Sequence, residues 1–245
     1  MKERPNESAS TADFEFNALS QAENYRRAIL KLFAPHLHGR VIEVGAGIGQ
    51  FTALLRELGQ IQHLLSIEPD PGFCAEFRKA LPRHPLLEGT VAALTDSGPW
   101  NAVLSINVLE HIREDENELA MYANLLKESR GRLCLFVPAR QEIYAPIEHD
   151  FGHHRRYSRG GLRHKLERAG FKLVHLHYFN LIGYFAWWLN FRVSRRRRFN
   201  PGMVRLFDRA IFPLGFGFES RICWPPIGQS LVAVAVARGG NSLSP

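Results

Sequence analysis

Two periods of apolar positions alternate along the chain. Ala18, Ala22, Tyr25, Ile29 and Leu32 recur at helical spacing and predict a helix over residues 18–33, closed off by Gly39. Residues 41–44 are a short β-rich run, followed by closely spaced glycines and a helical stretch over residues 51–58. This strand–turn–helix unit then repeats. HLLSIEPD reads as a strand ending in acid, with PGFCAEFRKAL as its helix. Residues 86–92 give a third strand, and NAVLSINVLEHI a fourth, with ENELAMYANLLKES as the helix after it. GRLCLFVPA is a fifth, apolar over enough positions to be buried on both faces. SRGGLRHKLERAG is a helix stopped by Gly170. FKLVHLHYF and QSLVAVAVA are the sixth and seventh strands. Strands that alternate with helices predict an α/β fold, a mostly parallel sheet with helices on both faces.

The composition adds bounds to this pattern. With 245 residues, 45% of them apolar and 22% charged, the chain suits one large α/β domain. The polar start MKERPNESASTADF, residues 1–15, reads as a disordered lead without the apolar core of a secretory signal. No run of eighteen apolar residues suggests a spanning helix. Cys74, Cys134 and Cys223 are far apart and odd in number, which speaks against a disulfide framework or a zinc ribbon. A reducing, cytoplasmic setting is expected. The net charge of +7 is concentrated in HHRRYSR, residues 153–159, and in the arginine run 195–198. Such runs meet phosphate, nucleic acid or anionic lipid, or are merely solvated.

The turn after the first strand carries the first chemistry. It reads Glu43-x-Gly45-x-Gly47-x-Gly49. Glycines let backbone turn sharply and approach a ligand closely. A dinucleotide turn of the form G-x-G-x-x-G would place its third glycine where Gln50 stands. An acid at Glu43 would repel a pyrophosphate but suits a sulfonium or ammonium group. About twenty residues on, the second strand ends at Glu68, where a carboxylate can accept both hydroxyls of an adenosine ribose.

VIEVGAGIGQFT, SIEPDP and SINVLEHI, in that order and spacing, resemble the class I S-adenosylmethionine (SAM)-dependent methyltransferases. The resemblance spans about residues 20–180 and the final strand. It implies a Rossmann-like seven-stranded sheet whose last strand is antiparallel, with SAM as cofactor. It further implies that Glu43, Gly45 and Gly47 line the methionine part of SAM and that Glu68 binds the ribose. Gly89 and Thr90 fall at the adenine loop, although an Asp is commoner than Thr90 there. Asn107 falls beside the methionine moiety, and Asn24 and Tyr25 in the cover over the cofactor. Glu110 and His111 lie in a frequent LEH signature.

Methyl transfer from a sulfonium chiefly needs alignment and exclusion of water, and an oxygen nucleophile also needs a base. The loop after the fifth strand, PARQEIYAPIEHDFGHHRRYSRGG, opens toward the ligand crevice of an α/β sheet. Its HD-x-GH-x-RRY pattern resembles a segment of class I methyltransferases associated with glycan or lipid-linked pathways. His153 is the candidate general base. His149, Arg155, Arg156 and Tyr157 are candidates for binding an anionic substrate. The same residues could instead cap the helix near Ser158. A metal on His149, Asp150 and His153 is chemically permissible, but no metal is expected, because the spacing matches no strong signature.

Residues 181–228 form a helical insertion before the last strand, separating a core over residues 16–180 from a final strand and tail over 229–245. LIGYFAWWLNF is apolar on every side, and four arginines and MVRLFDRAIFPL follow it. The insertion reads as a lid over an acceptor, a plain packing or homodimer contact, or a peripheral anchor on anionic lipid. The function expected is SAM-dependent methylation of a small, lipid-linked or sugar-linked acceptor, at oxygen. The alternatives are an RNA methyltransferase, a SAM-binding partner subunit without activity, and a nicotinamide oxidoreductase. Ile106-Asn107-Val108-Leu109 replaces the N/D-P-P-Y/F tetrapeptide of exocyclic base methylation, which disfavours that group and leaves RNA ribose or ring-carbon methylation open, with nucleic acid not the expected partner.

Overall fold

A computed structural model describes residues 21–96, 98–196, 200–221 and 224–239. The predicted lead over residues 1–15, Cys223, Arg197 and Arg198 lie outside the described residues. Seven strands form one sheet: β1 (Gly39–Val44), β2 (Ile61–Glu68), β3 (Leu86–Glu88), β4 (Ala102–Ile106), β5 (Arg132–Pro138), β6 (Phe171–Phe179) and β7 (Ser230–Ala237). Their order is β3-β2-β1-β4-β5-β7-β6. All neighbours run parallel except β7, which is antiparallel to both β5 and β6. The Rossmann-like seven-stranded α/β sheet expected from the sequence is the observed fold.

Nine α-helices are described: α1 (Glu23–Phe33), α2 (Gln50–Leu55), α3 (Pro71–Ala80), α4 (Asp115–Leu126), α5 (Pro146–Asp150), α6 (Arg159–Arg168), α7 (Leu181–Trp187), α8 (Pro201–Leu206) and α9 (Phe212–Arg221). A π-helical turn, Trp188–Val193, prolongs α7, and another, Phe207–Ile211, joins α8 to α9. Alternation along the central strands builds a core on each face of the sheet. Leu133, Leu135 and Val137 of β5 pack with Leu119 and Tyr122 of α4 and Leu162 of α6. Cys134 and Phe136 point the other way, toward Ile29 and Phe33 of α1, Leu55 of α2 and Phe212 of α9. The insertion therefore contributes to the core of the α1 face.

β3 is shorter than the sequence predicts. Gly89 follows it at φ +149°, and a 3-10 turn, Val91–Ala93, begins directly after Thr90. At the other end of the chain the apolar pattern locates β6 and β7 to within a residue. Ser158 caps α6 by accepting a hydrogen bond from the Gly161 N–H at 3.0 Å, and Gly170 closes the helix at φ +95°.

Candidate active site

The strand order reverses between β1 and β4, and the crevice of an open α/β sheet lies at that point, beyond the carboxyl ends of the strands. Gly45, Gly47 and Gly49 turn the chain there with φ of +72°, +56° and +87°. A Cβ on Gly45 would drive into Val108 Cγ2, so only glycine lets the β1 turn lie against the segment after β4. The Gly45 N–H donates to the Ile67 carbonyl at 2.9 Å, which pins the turn to β2.

Glu68 is buried at the tip of β2. Its Oε2 accepts the Gly47 N–H at 2.8 Å and its Oε1 the Asp70 N–H at 2.9 Å. Burial raises its pKa, and the two backbone donors oppose that shift. A carboxylate has about four lone-pair directions, so two remain for a ligand. The Gly89 N–H donates to the Glu68 carbonyl at 2.9 Å, which sets the exposed Thr90 at the rim of the same crevice. Asn107 is held at φ +52°, with its N–H on the Phe136 carbonyl. Gly45, Gly47, Glu68, Thr90 and Asn107 thus gather at one end of the sheet.

Glu43 faces inward, contrary to its expected place on the crevice wall. Its Oε2 accepts from Thr52 Oγ1 at 2.6 Å and from Ser66 Oγ at 2.7 Å, fastening α2 and β2 to β1. Burial pushes its pKa up to about 7. The folded chain therefore keeps a proton that the unfolded chain releases as pH rises from the ordinary carboxylate range to about 7. Stability falls through that window. Glu43→Gln should flatten the fall, gaining on the order of 3 kcal/mol relative to wild type between about pH 4 and pH 8. Denaturant melts of the two proteins check this, and parallel pH profiles would contradict it.

The loop after β5 folds around Glu148, which is fully buried. Arg156 Nε donates to both Glu148 oxygens at 2.7 and 2.9 Å, and Arg156 Nη1 donates to the Ala139 carbonyl at 2.8 Å. His153 Nδ1 lies 3.4 Å from Glu148 Oε1. The His153 side chain is only 8% exposed, and its Nε2 has no hydrogen-bond partner among the described residues. The imidazole thus has a buried carboxylate beside one nitrogen, and the other is buried at the cavity wall without a hydrogen-bond partner among the described residues.

The other residues of this loop are distributed differently from the expectation. Arg156 does line the cavity, but its charge is matched internally by Glu148. Arg155 turns to Asp115 at 3.0 Å and to the Arg113 carbonyl at 2.7 Å. The buried Tyr157 places its hydroxyl 2.8 Å from Asp115 Oδ2. His149 is exposed on α5, off the cavity wall. Asp115, a buried acid at the start of α4, draws Arg155 and Tyr157 away, so these two and His149 do not form an anion site. Glu110, His111 and His153 do converge, with a ligand atom of each within 4.8 Å of the other two. This donor set differs from the His149–Asp150–His153 set considered from sequence, and a divalent cation could use it.

Beside Asn107, Glu110 and His153 lies a cavity of about 520 Å³. The insertion supplies most of its wall, including Phe185, Trp187, Phe191 and Phe207. Tyr25 of α1 lines it too, its ring 5.1 Å from Phe212 and 5.6 Å from Phe179. Burial pushes the Tyr25 phenol up to about 12, partly offset by hydrogen bonding with Ser230.

Two acids of the insertion that the sequence reading left unassigned hold this cover in place. Asp208 accepts the Asn24 and Tyr25 N–H groups at 3.0 and 2.9 Å, satisfying the start of α1. Glu219 accepts the Asn180 and Leu181 N–H groups at 2.9 and 2.7 Å, doing the same for α7. They are the only acids in a basic, apolar stretch, and that was the signal available.

Comparison with known proteins agrees with the fold. Residues 18–176 match the methyltransferase domain family. No curated protein matches the sequence at a significant level. Among solved structures, the methyltransferase from Haloferax volcanii in complex with the Trm112 methyltransferase activator is similar at 16% identity and a TM-score of 0.62. That likeness covers 97% of this chain and 100% of the other. A TehB-like SAM-dependent methyltransferase from Corynebacterium glutamicum has 17% identity and a TM-score of 0.55, over 96% of this chain and 100% of the other. A SAM-dependent methyltransferase from Clostridium acetobutylicum has 7% identity and a TM-score of 0.59, over 91% and 96%. With the family match over residues 18–176 and the sheet order in place, the chain belongs to the methyltransferase domain family and is a class I SAM-dependent methyltransferase.

Proposed function

We propose that the enzyme methylates a hydroxyl on an apolar, lipid-linked or glycan-linked acceptor seated between His153 and the insertion. One observation carries this reading. The cavity of about 520 Å³ combines an apolar wall from the insertion with polar groups from the core, Asn107 and His153 among them. Pockets of that make-up take ligands with a large apolar body and a few oriented polar atoms.

In this reading the Gly45–Gly47 turn and Asn107 hold the methionine part of SAM, Glu68 the ribose hydroxyls and the Gly89–Thr90 turn the adenine. Bound SAM supplies a methyl group already activated by its sulfonium. His153 Nε2 would accept the acceptor hydroxyl proton as the methyl group that bound SAM would supply is transferred, so that the products are a methyl ether and S-adenosylhomocysteine. Glu148 and Arg156 are positioning residues that fix the His153 ring. Tyr25 and the insertion exclude water.

The test is SAM turnover against fractionated lipid and glycan-precursor extracts, read by mass. The expected product is an organic-extractable acceptor heavier by one methyl group, with S-adenosylhomocysteine released. Methylation confined to an RNA fraction would overturn the acceptor class. A chain inert alone but active in extract would point to an activator, the Haloferax methyltransferase being solved with one, and a chain inert in both would support a SAM-binding partner role without activity of its own.

A second reading has the Glu110–His111–His153 convergence in its favour. A divalent cation there would make His153 a ligand in place of a base. Loss of turnover in chelator, restored by added Mg²⁺ or Mn²⁺, would favour it over the base.

A further inference from the structure

The insertion gathers nearly all the exposed grease of the molecule. Of eleven exposed large hydrophobic side chains among the described residues, ten lie in it, and Val174 is the other. They follow helical spacing on both arms. Ile182, Phe185, Trp188 and Leu189 lie along α7 and its π turn. Met203, Leu206, Ile211, Leu214 and Phe218 run from α8 to α9. The arms meet where Gly215 packs on Ile182, since a Cβ on Gly215 would sit 2.8 Å from Ile182 Cδ1. Exposure is deep at the tip, with Leu214 at 77% and Phe218 at 62%. A patch of this extent marks an interaction surface.

Its charge is one-sided. Arg192, Arg195, Arg196, Arg205, Arg209 and Arg221 are exposed, and none makes an ion pair among the described residues. Asp208 and Glu219, the only two acids of the segment, are buried on helix N-termini. The described residues of the insertion thus expose aromatic and aliphatic side chains together with six arginines and no carboxylate of their own, and the exposed acids that border it are Glu142, beside Tyr184, and Glu23, near Arg209. A second copy docked isologously would set arginines against arginines, which electrostatics disfavours. Aromatic groups among an excess of cations match the interface of an anionic bilayer. No described helix is long and apolar enough to cross one, so the contact is with its surface.

The cavity opens onto the same patch. Ile182, Phe185, Leu189, Met203, Leu206 and Ile211 are both exposed and part of its wall. We infer that the insertion docks on anionic membrane surface and that the acceptor reaches His153 from the bilayer through this mouth. The docking stands on the surface alone; the route rests on the acceptor reading above.

The full chain is mixed with phosphatidylcholine vesicles, with and without an anionic phosphatidylglycerol fraction, and bound protein is read by flotation. Binding is expected to be at least about tenfold stronger to anionic vesicles and to fall with salt. Trp188→Ser/Leu214→Ser/Phe218→Ser alters three exposed side chains outside the cavity wall and should weaken binding about tenfold or more. Arg192→Gln/Arg209→Gln should weaken anionic binding by a similar factor. SAM affinity, measured alongside, should not change and reports folding. Equal binding to both vesicle types, or none, overturns the docking. So does a concentration-dependent dimer that the triple variant dissolves. Docking with no methylated product in any lipid fraction would leave the surface assigned and sink the acceptor reading. Turnover on detergent-dispersed acceptor without vesicle binding would do the reverse.

Discussion

His153→Ala should lower kcat by about 10²- to 10⁴-fold while leaving the Kd for SAM within about twofold. The split follows from where the side chain lies. His153 lines the cavity and touches Glu148, while the glycine turn and Glu68 are built from β1 and β2. Glu148→Gln tests the orienting carboxylate. It keeps the shape but leaves Arg156 buried without its counter-charge, so lost stability is expected with a smaller loss of kcat. Single-turnover rates with calorimetric SAM binding separate the two effects. An unaltered chemical rate in His153→Ala would remove it as the base.

Glu68→Ala should weaken SAM binding by about 100-fold or more. Two ribose hydroxyls lose a charged acceptor, and hydrogen bonds to charged groups contribute about 1.5–3 kcal/mol each. The loss is compounded because Glu68 also holds the Gly47 and Asp70 N–H groups, so the turn loses its brace. Glu68→Gln should not rescue it, since an amide offers one acceptor oxygen where the carboxylate receives two N–H donors. Titration calorimetry reads the affinity, and an unchanged Kd would refute the role. His153→Ala and Glu68→Ala should therefore fail in opposite ways, one in rate and the other in affinity.

The sheet was legible because its buried strands are continuous apolar runs. β5 and β7 lie where those runs are, while the edge strand β6, with Lys172, Val174 and His175 exposed, was marked by its β-rich composition. β3 was overextended because apolar character continues past Glu88, and only the backbone of Gly89 shows that pairing ends there. The loop after β5 was legible in density but not in direction. His153 and Arg156 turn to the buried Glu148, and Arg155 and Tyr157 to the buried Asp115 from another part of the chain. Periodicity does not reveal such partners. The same holds for Glu43, whose hydroxyl partners Thr52 and Ser66 come from α2 and β2. The insertion was readable as apolar and basic. That its grease faces outward and its acids inward depends on the helix starts of α1 and α7.

The Asp208 clasp on Asn24 and Tyr25 makes the first helix and the insertion one mechanical piece, although 184 residues separate Asn24 from Asp208. Swapping the insertion into a related enzyme, or trimming it away, would strip two amide groups of their acceptor and slacken the wall of the cavity beside Asn107 and His153. Any chimera that aims to change acceptor choice must therefore transplant residues 21–33 together with residues 181–221, as a matched pair.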